Sequence, residues 1–267
     1  MKKYWHVINI GIQNTLVYRV NFLFRTLFSF IPLVAVIFMW RTIYRQKETA
    51  GDISGYSLSA MVSYYLLVTI VDALTAVNED DWQIAADIRD GNISQFLLKP
   101  IDYLTYRLCL FFSGRLIYTV VAIVPVGFFI FSLRHYFVAP VAGHFGWFAL
   151  SMVLTGLLQF FMSYTMALLA FWVLEVSTLI FILFAFEYIA GGHLFPLNLL
   201  PPAVSTALSF TPFPYQLYFP VSIYLGQTSG EAMARGLFIQ AAWTILFYLL
   251  ARLVWSRGIR KYSAVGG

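Results

Sequence analysis

The residues able to do chemistry in this chain are few, and their spacing excludes most enzymatic uses. A phosphate-binding loop needs Gly-Lys followed by Ser or Thr, so that backbone N–H groups and an ammonium surround the phosphates. None of Lys2, Lys3, Lys47, Lys99 or Lys261 follows a glycine. The four histidines, His6, His135, His144 and His193, are scattered, and no His-Glu-x-x-His pair occurs, so no metal centre is expected. The nearest match to a nucleophile loop is GDISG at 51–55, but no histidine follows His193. A serine without a base is not activated. Cys109 is the single cysteine and cannot form an internal disulfide. No catalytic residue, metal or cofactor is expected.

The ionisable residues inside apolar stretches form a second group: Asp72, Arg107, Arg115, Glu175 and Glu187. A charge in a membrane span is a functional candidate by default. Asp72, Arg107 and Arg115 lie close enough to span ends to reach the interface, and read as anchors. Glu175 reads as a turn. Glu187 is the best candidate for a buried polar role. A carrier driven by protons or sodium would show a mid-span relay or internal repeats; neither is present.

The elements that must position these groups are membrane helices. Hydrophobic residues make up 60% of the 267 residues and charged residues 11%, against roughly 45–50% and about 25% in a soluble domain. With a mean hydropathy of +0.77, the polar residues cannot coat a water-soluble particle. A net charge of +5 would raise nucleic acid as the partner of a soluble protein. Here basic residues flank spans instead, and no nucleic acid is expected. The fold class is all-α: a polytopic membrane protein with six spans. Apolar runs place them at about 22–44, 56–77, 106–133, 146–172, 176–190 and 236–255. Six spans put both termini on one side. Twelve of the seventeen Lys and Arg residues fall there and five on the other, which predicts cytoplasmic termini. Residues 1–20 hold no short apolar core with a small-residue cleavage site, so no cleavable signal is expected.

Three segments are not spans. Residues 1–20 read as an interfacial helix, because Tyr4, Ile8, Ile12 and Leu16 recur at i+4 as an apolar stripe. Residues 193–225 hold six prolines and no charge. They are too apolar for a water-facing loop and too broken for a span, so they read as a re-entrant outer segment. Its short helices are expected at about Pro202–Phe210 and Pro214–Leu225. The third segment, NEDDWQIAADIRDGNISQFLLKPIDY at 78–103, holds six of the twelve acidic residues. Glu79, Asp80 and Asp81 crowd a helix start, where the dipole favours negative charge. Trp82, Ala85 and Ile88 repeat at i+3, and Gly91 ends the helix. The segment fits either a docking element for a cytoplasmic partner or a solvated connector.

DWQIAADIRDGNISQFLLKPID at 81–102 is similar to the Ile-Arg-x-Gly … Leu-Leu-x-Pro-Ile segment of bacterial multidrug-type permeases of type-2 ABC exporters. FPLNLLP (195–201) and TPFPY (211–215) are similar to the outer segment of the same group. With the order of elements, the whole chain, 1–267, resembles one such transmembrane domain. The resemblance implies a permease subunit of the inner membrane that pairs with a second permease subunit, identical or not, and with a cytoplasmic ABC ATPase. Membrane lipid would surround it. Residues 79–100 would be the coupling segment. Trp82, Ile84, Ala85 and Ile88 would fill a groove of the ATPase, with Asp81, Asp87, Arg89 and Asp90 at the rim. Gly91 would allow the sharp exit, and Glu187 is the candidate for a polar pathway. The implied cargo of such an exporter is hydrophobic or amphipathic. A stand-alone secondary carrier or channel is the alternative, and a membrane scaffold a third.

Overall fold

A computed structural model describes residues 2–46, 52–77, 80–140, 143–173 and 175–262. Of the residues discussed above, Lys47, Gly51, Asn78 and Glu79 lie outside the described residues, as do the side chains of Asp80 and Asp81. Among the described residues eleven α-helices follow in order: α1 (Lys2–Val17), α2 (Arg19–Gln46), α3 (Leu58–Thr75), α4 (Asp80–Arg89), α5 (Ile93–Leu97), α6 (Tyr103–Ser132), α7 (Phe145–Ala167), α8 (Ser177–Ala190), α9 (Pro202–Ser209), α10 (Tyr218–Tyr224) and α11 (Gly230–Lys261). A 3₁₀ turn, Leu168–Phe171, extends α7. Among the described residues there is no β-strand, and five helices are long and apolar enough to cross a membrane: α2, α3, α6, α7 with its 3₁₀ turn, and α11.

The sixth expected span is α8, with 14 residues. At 1.5 Å per residue it reaches only about 21 Å, short of the ~30 Å hydrocarbon core. The chain stops being helical at Gly191 and Gly192 and turns back into protein. Tyr64 on α3 donates its hydroxyl to Gly192 O at 2.6 Å, and Tyr65 donates to Leu194 O at 2.5 Å. Irregular backbone at membrane depth is tolerated where protein satisfies it, and these tyrosines do that. The segment from 193 to 225 thus does more than cap one end. Its helix α10 packs against α3 and α7, whereas α9 stays exposed.

Helix ends follow local chemistry. Ser57 caps α3 by accepting from Ala60 N, and Asp102 caps α6 by accepting from Thr105 N at 3.0 Å. The long spans pack through aromatic and aliphatic residues. Phe30, Leu33, Ile37 and Trp40 of α2 meet Tyr64, Tyr65 and Val68 of α3 and Val221 of α10. Gln240 of α11 ties α7 to the re-entrant segment, because its Nε2 donates to Thr155 Oγ1 and to Tyr215 O.

Helix α1 lies along α6, but on a ridge displaced from the expected stripe. Val7 and Gly11 are the buried positions, whereas Leu16 is exposed. Gly11 decides the face: an added Cβ would sit 2.9 Å from Ser113 Cβ, so this close crossing admits only a residue without a side chain.

Candidate functional site

One end of the bundle gathers α1, α4, α5, the 3₁₀ turn at 168–171 and the last turns of α11. Lys3 Nζ donates to Pro100 O at 2.6 Å, and Tyr262 Oη donates to Gly91 O at 2.9 Å. The start and end of the described chain therefore flank the segment from 80 to 100.

A ten-residue helix is marginal on its own in water, so packing must hold α4. Ile84, Ile88 and Ile93 are 1%, 4% and 0% exposed. They pack with Tyr103 and Leu104 of α6 and with Phe160, Tyr164 and Leu168. Ile84 and Ile88, expected to fill a partner's groove, are therefore inside this chain's own core. The apolar edge that counts is their i+4 pair rather than the i+3 repeat of Trp82, Ala85 and Ile88. Three buried isoleucines, at about 1.5–3 kcal/mol each, outweigh a surface ion pair of about 0–1 kcal/mol such as Arg89–Asp90.

Beneath α4 lies a polar clamp. Arg107 of α6, only 5% exposed, donates from Nε to Tyr103 Oη at 2.9 Å, from Nη1 to Gln83 Oε1 at 3.3 Å, and from Nη2 to Asp87 Oδ2. Tyr103 Oη in turn donates to Asp87 Oδ2 at 2.8 Å. Arg107 is thus no interfacial anchor, and Asp87 is no rim residue. Together they bolt α4 to α6. Tyr103 also stacks on Trp255 of α11, with centroids 5.0 Å apart and planes at 13°.

The outward face carries Trp82, 43% exposed, and Arg89 with Asp90, whose side chains pair at 3.1 Å. Ala85 is partly buried between the two faces. Gly91 takes φ +81°, a conformation that favours glycine, and ends the helix. The side chain of Asp81 lies outside the described residues. The arrangement is a rigid knob: an aromatic and a charge pair held on an element that is locked to two spans.

Next to this knob, Arg252 of α11 donates from Nη1 to Asp102 Oδ1 at 2.5 Å. Burial pushes the Asp102 carboxyl up, but the bonds from Arg252 and from Thr105 outweigh it and hold the group below its ordinary value. A depressed folded value contributes stability that is fully present above the unfolded carboxylate range. That contribution is lost as pH falls through the folded value. In a thermal-unfolding series, wild-type protein is expected to exceed D102N at neutral pH, with the gap closing as the medium is acidified below about pH 4. A gap that persists unchanged in acid would contradict this.

Glu187, the other sequence candidate, lies on α8 and accepts from Gln159 Nε2 of α7 at 3.4 Å. Asp72, with its side chain 48% exposed, has Oδ1 3.5 Å from His193 Nε2 of the proline-rich segment. Asp72, Glu187 and His193 border one cavity with Gln159, Ser163 and Gln216. The neutral polar members were missed in the sequence because single amides and hydroxyls scarcely dent the hydropathy of an apolar run. A glutamine in the middle of a span was the signal available.

A search among curated proteins found no match. A family model described as ABC-2 family transporter protein matches residues 30–266. That match takes in the larger part of α2, the other spans, the knob and the proline-rich segment together, and the chain therefore belongs to the ABC-2 transporter family, as a multi-pass membrane component of a transporter.

Proposed function

We propose that this chain is the permease subunit of an ATP-driven exporter, in which the α4–α5 knob seats in a groove of a separate cytoplasmic ATPase subunit. Two permease subunits would form the pathway between them, and the cargo would be hydrophobic or amphipathic. The termini and the knob would face the cytoplasm of a bacterial cell across its inner membrane. What carries the reading is the division of α4 into two faces. Its isoleucines and Asp87 fix it to the bundle, so force applied at Trp82, Ala85, Arg89 or Asp90 reaches α6 and α11 without loss in a flexible loop. The excess of basic residues on this side supports the orientation.

Trp82→Asp is the direct test. Trp82 is exposed, so folding should survive the change, while an aromatic anchor in an interface is typically worth 2 kcal/mol or more. Co-purification of the ATPase is expected to fall by at least ~30-fold, with thermal stability within about 0.5 kcal/mol of wild type. Unchanged co-purification and unchanged transport would remove the knob from the coupling path. Transport by the reconstituted chain with no ATPase present would favour a secondary carrier.

A further inference from the structure

Three glutamines are buried among the spans and the re-entrant segment, and they are served unequally. Gln240 is 0% exposed and fully paired. Its Oε1 accepts from Ser151 Oγ at 3.0 Å, and its Nε2 donates to Ser151 O, Thr155 Oγ1 and Tyr215 O. Gln159 and Gln216 are 4% and 0% exposed, yet only their nitrogens are served. Gln159 Nε2 donates to the Glu187 carboxylate at 3.4 Å and Gln216 Nε2 to Met162 Sδ at 2.8 Å. The orientation of the Gln159 amide follows from its neighbour, since an amide oxygen turned toward a carboxylate would meet a like charge. Oε1 of Gln159, Oε1 of Gln216, Oγ of Ser163 and Nδ1 of His193 have no hydrogen-bond partner among the described residues.

These four atoms, out of seven such atoms among the described residues, belong to residues that line one cavity of about 210 Å³. Asp72 and Glu187 line it too, while Arg25 and Arg115 line the adjoining cavity on the other side of Asp72. Two carboxylates, two amide oxygens and a hydroxyl thus belong to residues bordering this space. Leaving such atoms buried without a partner costs about 1–3 kcal/mol each, which a ligand with several N–H donors and a positive charge would remove. Leu183, Phe184 and Tyr188 supply an apolar side to the same space. Gln159 lies near the middle of the apolar stretch Phe145–Phe171, so the cavity is at membrane depth. Its volume is below the ~300–1,000 Å³ of a drug-sized pocket and suits a head group with a short chain.

We propose that this cavity binds the primary ammonium head of an amphiphile. Its role as a cargo site rests on the transport reading above; its selectivity for an ammonium does not. The full chain in lipid nanodiscs, without ATPase, is to be tested by equilibrium dialysis with hexylammonium, hexanol and hexanoate, which share one chain length. Hexylammonium is expected to bind saturably and at least about tenfold more tightly than hexanol, the difference of one charged hydrogen bond, with hexanoate weakest. E187Q, which keeps the volume, is expected to lower hexylammonium binding by about tenfold or more, and S163A by a few-fold, with hexanol unmoved in both. If E187Q fails to fold, S163A carries the test, because it only removes a hydroxyl. Equal binding of hexylammonium and hexanol, as when water alone serves these atoms, would overturn the proposal. So would tighter binding of hexanoate, or both variants binding like wild type. The measurement is separable from the coupling reading: ammonium binding can succeed in a chain that recruits no ATPase, and fail in one that does.

Discussion

Replacing Arg107 by methionine is expected to loosen α4 from the bundle and to cost about 3–5 kcal/mol. That is the penalty for removing one partner of a buried pair and leaving the other unmatched. Methionine keeps most of the aliphatic stem, so packing against Tyr103 is largely retained and the loss is electrostatic. Asp87, with a side chain 20% exposed, keeps the Tyr103 hydroxyl but loses its cation. Thermal unfolding in detergent measures the cost, and limited proteolysis between 80 and 100 reports the release of the knob. In the double variant R107M with D87L neither charge remains, and part of the stability is expected to return, since an apolar pair of matching volume often equals a buried ion pair. An R107M protein as stable as wild type would mean that the isoleucines alone hold the helix.

The second large effect is expected at Gly192. Its φ of +97° lies where side chains are rarely found, and a Cβ there would stand 2.7 Å from Tyr64 Oη and 3.1 Å from Tyr218 Cβ. Gly192→Ala therefore combines backbone strain of about 1–3 kcal/mol with overpacking of about 1–3 kcal/mol. The hydroxyl of Tyr64 would be pushed off Gly192 O, releasing the point where the re-entrant segment enters the bundle. A fall in unfolding temperature is the expected readout. Tyr64→Phe, which removes the hydroxyl but opens no clash, should cost only about 0.5–1.5 kcal/mol. Equal effects of the two variants would show that backbone geometry at Gly192 is unimportant.

Why these devices escape a reading of the sequence is a matter of range. Spans were legible because an apolar run bracketed by basic residues has one physical use, and α8 was located to within a residue of its observed limits, 177–190. At 14 residues it is shorter than the other five apolar helices, as is visible once its length is set against the core thickness. The proline-rich segment was legible as short helices separated by breaks, observed as α9 and α10, because it is both apolar and proline-rich. Its depth was not, since Tyr64 and Tyr65 lie some 130 residues away in sequence from the carbonyls they serve. On α4 the i+3 and i+4 repeats share Ile88, and only the cavity offered by Tyr164 and Leu168 selects the Ile84–Ile88 edge. Arg107 has the position of a snorkelling residue. Its pairing with Asp87, across a helix, a turn and a second short helix, leaves no periodic trace. Orphaned oxygens on Gln159 and Gln216 are likewise a property of three-dimensional surroundings, because Gln240 carries the same amide and is satisfied.

The most direct test of the coupling account is a photo-crosslinking amino acid placed at 82 in the assembled complex, with Phe210, an exposed residue just after α9, as the distal control. The account predicts a crosslink from 82 to the ATPase subunit and none from 210. Crosslinks from 82 to lipid or to this chain alone, in a complex that still transports, would contradict it.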